Sequence, residues 1–315
     1  MVRAFFKTIP VPCCGVALGL VALGRLLGSY GLPLVEHLLV ACSAAFVALI
    51  MGKAILWPRV LANDLTDPVL GSVFGTFFMT GTQLSTYLIP VSHLLGSVVW
   101  ILAVAGHAAL IVWFTLYRAS NPKLSDVFTT WFVCYVGLAA GALTAPYFGF
   151  EAVGMVLVWF GLGAYAVMLV LVTLRYLRYE VPKGAQPTFC IYAAPASLIL
   201  ATYLSCASAP SIGFTLALGI LAQLMLVMVL TQVPRFVVNG FFPSYAAMTF
   251  PFVVTATALR NASGFWAAEG LAFANALSVL ASLEVIFATC MVLFVAGHYV
   301  RFIAQGARKL RSSQA

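Results

Sequence analysis

Ten stretches of mostly apolar residues follow one another along the chain, at about residues 10–28, 33–57, 70–88, 91–117, 127–146, 150–176, 188–207, 211–233, 243–259 and 270–302. A helix needs about 20 such residues to cross the hydrocarbon core of a bilayer. Within hydrocarbon, only helices and closed barrels satisfy every backbone N–H and C=O. The pattern therefore predicts an all-α membrane protein of ten transmembrane helices. Composition agrees: 63% of the 315 residues are hydrophobic and 8% are charged, against roughly 25% charged in a soluble domain. No polar stretch is long enough for a further domain, so the expected division is an N-terminal segment 1–9, a membrane unit 10–303 and a basic tail 304–315. The start, MVRAFFKTIP, carries charge ahead of an apolar run as a signal peptide does. That run continues to Gly28 and the next stretch follows at once, so it reads as a first span.

The stretches alternate in character. Odd ones are short and interrupted by Gly, Pro or Thr; even ones are longer and more uniformly apolar. The odd ones begin near positions 10, 70, 127, 188 and 243, a repeat of about 58 residues. Five copies of a helical hairpin can close into a quasi-fivefold ring, with interrupted helices inside and apolar ones against lipid. The pairs Gly15 and Gly19, Gly71 and Gly75, and Gly137 and Gly141 fall in the first three odd stretches, where small residues allow backbones to approach closely.

Charge sets the orientation. Of the sixteen Lys and Arg residues, fourteen fall on the face that holds both termini and the loops after the even stretches, among them Arg3, Lys53, Arg118, Arg175, Arg235 and Arg308. Only Arg25 and Arg260 fall on the other. This bias predicts cytoplasmic termini in a plasma or inner membrane. It also explains the net charge of +8 without nucleic acid, since no basic patch interleaved with aromatics is present. The tail ARKLRSSQA suits contact with anionic lipids. The seven cysteines include no C-x-x-C pair and no histidine at metal-ligand spacing, so they read as small packing residues, with no metal or cofactor expected. Hydrolase, zinc-protease and Walker motifs are lacking, and no enzyme activity is expected.

The ninth stretch constrains function most. It carries Pro251 near its middle, with Phe250 and Phe252 on either side. A proline inside a helix removes a donor and crowds the carbonyl four residues back, here that of Ala247, at a cost of about 3 kcal/mol. A kinked helix facing the protein interior is expected. Among polar residues, Glu284 lies deepest, near the middle of the tenth stretch, with His107 of the fourth at similar depth. A buried carboxylate there is either a proton site or a structural group. The structural reading is preferred because the tenth stretch is an outer one. Arg25 can snorkel to water or pair, or draw anions toward an outer vestibule. Thr80, Thr82, Gln83, Thr86, Thr249 and Thr255 either line a wet path or, for the threonines, bond back to helix carbonyls.

Five hairpins, M-T-F-P-F at 248–252, A-A-P-A at 193–196 and P-C-C-G-V-A-L-G-L at 12–20 together resemble the tellurite-resistance and dicarboxylate transporter family. That family includes bacterial TehA proteins, yeast malate permease and the plant slow-type anion channels. The resemblance spans nearly the whole membrane region and implies five inner helices inside five outer ones, a homotrimer with one pore per protomer, and a phenylalanine occluding each pore. The phenylalanine of T-F-P is Phe250, with Phe252 as fallback. Pro12, Pro195 and Pro251 would kink inner helices, whereas the third and fifth stretches lack a central proline. Pore-lining candidates are then Phe252, Pro251, Pro195, Pro12, Gly15, Gly19, Thr82, Thr86 and Thr249. Expected activity is passive conduction of small anions. The alternatives are proton-linked transport of C4-dicarboxylates or sulfite through Glu284 or His107, and a non-transporting scaffold.

Overall fold

The computed structural model describes residues 2–238 and 240–312. Met1 of the N-terminal segment, Asn239, residues 313–315 of the basic tail and the side chains of Val2 and Arg311 lie outside the described residues. The described chain is helical, with no strand. Its α-helices are α1 (Val2–Lys7), α2 (Cys13–Gly28), α3 (Pro33–Leu56), α4 (Pro58–Leu65), α5 (Pro68–Val73), α6 (Gly75–Leu84), α7 (His93–Ala119), α8 (Thr130–Tyr135), α9 (Glu151–Arg178), α10 (Ala194–Cys206), α11 (Ile212–Leu230), α12 (Val233–Val238), α13 (Phe250–Ala268) and α14 (Ala274–Ser312). Shorter 3₁₀ segments include Ser85–Leu88, Val136–Leu143, Ala145–Phe148, Lys183–Ala193 and Pro243–Met248.

Six helical segments of the described chain are long and apolar enough to cross a membrane, and the protein is an integral membrane protein of the all-helical kind. Five of the six (α3, α7, α9, α14, and α11 with α12) bury only 28–39% of their most apolar windows. Their outward faces carry side chains such as Leu34, Leu102, Val156, Leu224 and Ile286, all well exposed, as lipid contact demands. The sixth, Lys183–Cys206, is 78% buried. Inner and outer roles thus follow the alternation in the sequence. Four of the five inner elements are also broken, α2 alone being continuous. α5 gives way to α6 at Phe74, α8 passes into the 3₁₀ run Val136–Leu143, Lys183–Ala193 passes into α10, and Pro243–Met248 passes into α13 at Thr249.

Pro251 does not kink a continuous helix, as its central position in the sequence suggested. It occupies the first turn of α13, where a missing N–H costs nothing because that donor has no helical partner. Pro195 holds the same place in α10, and Pro12 caps α2. The ninth element runs on to Ala268, well past Leu259. Thr249, with φ −112° and ψ −87°, is the point of rupture. Carbonyls released at such breaks are taken up by hydroxyls: Ser197 and Thr255 both donate to the Ala193 oxygen, at 2.9 and 3.3 Å.

Packing runs from α2 to α6, from α6 to Val136–Leu143, from there to α10, from α10 to α13, and from α13 back to α2. Each of these five carries the following long helix on its outside, most extensively α2 with α3 and α13 with α14. At the end holding α1, buried Lys53 donates to the Ile9 oxygen at 2.8 Å and pairs with Asp64 at 2.6 Å. The last turns of α14 lie beside Thr8 and Ile9, so N- and C-terminal segments share one end.

Candidate functional site

Two cavities lie between the inner elements. The narrow one, of about 40 Å³, is almost wholly apolar and takes lining from all five: Gly15 and Leu18; Val73, Thr76 and Met79; Phe132, Val133, Val136 and Gly137; Ile191, Ala194, Pro195 and Leu198; and Ala246, Ala247, Phe250 and Pro251. These residues cluster at the breaks. A space of that size admits about one or two waters, with few polar groups to hold them. The wide cavity, of about 410 Å³, is lined by later residues of the same elements, among them Arg25, Gln83, Leu143, Tyr147, Ser205, Val254, Thr257, Arg260 and Asn261.

Phe250 lines both cavities and is 7% exposed. It stands between them. Its position follows from the break: Thr249 leaves helical geometry, and its hydroxyl, fully buried, reaches the Ala246 oxygen at 2.7 Å and the Gly15 oxygen at 3.1 Å. That bond ties the start of α13 to α2. Gly15, Val73, Phe132, Ile191 and Phe250 recur at spacings of 58 or 59 residues and all line the narrow cavity. Of the two phenylalanines at this level, Phe132 is locked edge-on against Tyr165 and Tyr192 at 5.9 and 5.4 Å. The ring of Phe250 has no aromatic neighbour among the described residues, which leaves it freer to turn.

The other candidates divide. Gly15, Pro195 and Pro251 line the narrow cavity. Phe252 does not line either cavity. It points outward, buried, with its ring edge-on to Phe287 of α14 at 5.0 Å, because residues two apart in a helix face different sides. Pro12, Gly19, Thr82, Thr86 and Thr249 also line neither cavity. Pro12 precedes the wall, and Gly19 lies flat against Thr249. The three hydroxyls bond back to Met79, Gln83 and Ala246 oxygens, which is the alternative use of a helical threonine. Glu284 and His107 are not partners. His107, buried, is hydrogen-bonded through Nε2 to the Cys134 oxygen at 2.9 Å, while the buried Glu284 carboxylate has the Gln223 side chain beside it. Glu284 lines neither cavity.

The wide cavity holds what sequence reading undervalued. Arg25 donates to the Gln83 oxygen at 3.3 Å and to the Thr86 hydroxyl, and lies over the rings of Tyr87 and Tyr147 at 5.4 and 5.1 Å. Tyr147, Arg260 and Asn261 were not candidates. The signal that finds them is the repeat itself, which brings the later residues of each odd element to one depth. No group of three or more His, Cys, Asp or Glu residues suited to a metal occurs among the described residues.

An all-helical integral membrane protein whose broken inner helices surround two cavities has the build of a channel or transporter. A family model described as voltage-dependent anion channel matches residues 8–300, and the chain belongs to that family, which also takes in TehA. The resemblance carried by the T-F-P and A-A-P-A motifs is thereby shown. Its members are channels and transporters of anions rather than enzymes. Among curated proteins, none matches the chain.

Proposed function

We propose that the protein is a passive channel for small anions, crossing the cell membrane ten times as five hairpins in a ring, with Phe250 closing the pore. The observation that carries this reading is the position of Phe250 between two cavities that the same five inner elements line. The closed circuit of packing from α2 through α13 and back to α2 supports the ring. The basic residues at the end shared by the termini support a cytoplasmic placement. Trimeric assembly rests on the family alone. A tube lined by small and apolar groups binds ions weakly, and weak binding lets them leave as well as arrive. Its dehydration barrier favours large, weakly hydrated monovalent anions.

Phe250→Ala removes the ring that separates the cavities, so anion efflux from vesicles holding the purified variant rises above wild type. Unchanged efflux from a folded variant would falsify the gate. The proton-linked carrier is the second reading, and the buried carboxylate of Glu284 is what favours it. Glu284 lines neither cavity, which supports passive conduction over the carrier. Dissipating the proton gradient separates the two: carrier flux stops and channel flux continues.

A further inference from the structure

We propose that the wide cavity captures a small monovalent inorganic anion, such as nitrate or a halide, on the Gln83 amide and the Arg25 guanidinium before the ion reaches Phe250. The proposal rests on the channel reading and assigns a binding site within it. Gln83 is 2% exposed, lines the cavity, and its amide nitrogen has no hydrogen-bond partner. A buried donor left unpaired is costly and rare, and points to a ligand that completes it.

Charge agrees with this assignment. The cavity lining includes Arg25 and Arg260 and no Asp or Glu. Among the described residues neither arginine forms an ion pair; the pairs present are Lys53 with Asp64 and Arg118 with Asp126. Arg25 is fixed by neutral acceptors and two tyrosine rings, which hold its position without cancelling its charge. Arg260 is fixed in the same way by the Ser29 oxygen at 2.8 Å and the Tyr30 ring at 4.5 Å. The carboxylate nearest the tyrosines that hold Arg25 is Glu36. It is outside the lining and accepts from the Tyr87 hydroxyl at 2.5 Å. A low-dielectric recess with unpaired positive charge concentrates anions. At about 410 Å³ it admits the ion with part of its hydration shell, so capture is weak enough for onward passage.

The test uses full-length protein in lipid vesicles, with Phe250→Ala as background so that the plug does not mask capture. Nitrate flux is measured against external nitrate, and crystals soaked in bromide are examined for anomalous density. Gln83→Glu, which keeps the shape and adds a negative charge, raises the half-saturating nitrate concentration about tenfold, the effect of like charges a few ångström apart in a partly wet site. Gln83→Leu raises it several-fold, Arg25→Lys changes it little, and Arg25→Gln more. Bromide density appears beside the Gln83 amide and disappears in Gln83→Leu. Half-saturation that is the same in all folded Gln83 variants, or a water beside Gln83 with bromide elsewhere, overturns the site. Absence of flux in the Phe250→Ala background overturns the channel reading instead, and the bromide result then stands or falls separately.

Discussion

Gly19→Ala tests whether the junction before Phe250 is held by close approach of two backbones. A Cβ at position 19 would stand 2.5 Å from the Thr249 Cβ, 2.6 Å from its Oγ1 and 3.3 Å from the Phe250 nitrogen. Carbon atoms settle at about 3.5–4.0 Å from one another, so alanine needs about 1 Å or more of new room. Two escapes are open, and each has a cost. Shifting Thr249 with its backbone, since turning the side chain leaves Cβ in place, breaks its bonds to Gly15 and Ala246, at about 1–3 kcal/mol for a buried hydroxyl left unpaired. Separating α2 from α13 strains a packed wall, at about 1–3 kcal/mol for overpacking. Either moves the residue next to Phe250, so Gly19→Ala lowers the unfolding midpoint in detergent and raises basal anion leak. Thr249→Gly removes the colliding Cβ. In that background the stability cost of Gly19→Ala falls by at least about 1 kcal/mol, within the usual range of coupling between touching residues. Equal costs in both backgrounds, or unchanged leak in the single variant, refute the reasoning.

Further outcomes follow from the same contacts. Phe252→Ala destabilises the protein by about 3–5 kcal/mol, as loss of a buried ring does, yet gives no rise in anion flux; a rise comparable to that of Phe250→Ala reassigns the gate. Glu284→Gln removes a buried carboxylate and keeps an amide oxygen that can still accept from Gln223, so thermal stability holds or improves and flux is unchanged, whereas loss of proton-dependent uptake favours the carrier. Asp64→Ala leaves the Lys53 ammonium, 3% exposed, with the Ile9 oxygen alone. Breaking a fully buried pair costs about 3–5 kcal/mol, and the partial exposure of Asp64 brings the expected loss to about 2 kcal/mol, read from denaturant midpoints; loss below about 0.5 kcal/mol marks the pair as a surface one.

The positions of helices were legible because hydrocarbon forces one solution on every apolar stretch. Alternation of interrupted and uniform stretches also told which helices lie inside, since an interrupted backbone needs protein neighbours. What Pro251 does was not legible. The sequence shows a proline amid apolar residues, but whether it bends a helix or begins one depends on Thr249, whose φ and ψ are set by a hydroxyl bond to Gly15, far away in the chain. The threonines Thr82 and Thr86 misled for a related reason. A hydroxyl on an inner helix has two uses, and the carbonyl one turn back is always within reach. Arg25 lies in the last turn of the first apolar stretch, as the sequence suggests, but its tyrosine neighbours come from other repeats, and no local pattern reveals them.

The breaks and the narrow cavity coincide, and on the proposed channel reading this is why one side chain would suffice to close the path. At Phe74, Val136, Ala193 and Thr249 the backbone changes its helical pitch, and such changes mark points of local adjustment. Around that level the residues facing inward are Gly15, Val73, Phe132, Ile191 and Phe250. Glycine and valine leave a gap on one side, and Phe132 is immobilised by its two tyrosines. The remaining large ring therefore fills the gap. Because Phe250 begins α13, its backbone has only one helical neighbour to carry along when it turns. A phenylalanine one turn deeper in α13 would move with the whole helix, and opening would require the α13 to α14 packing to yield as well.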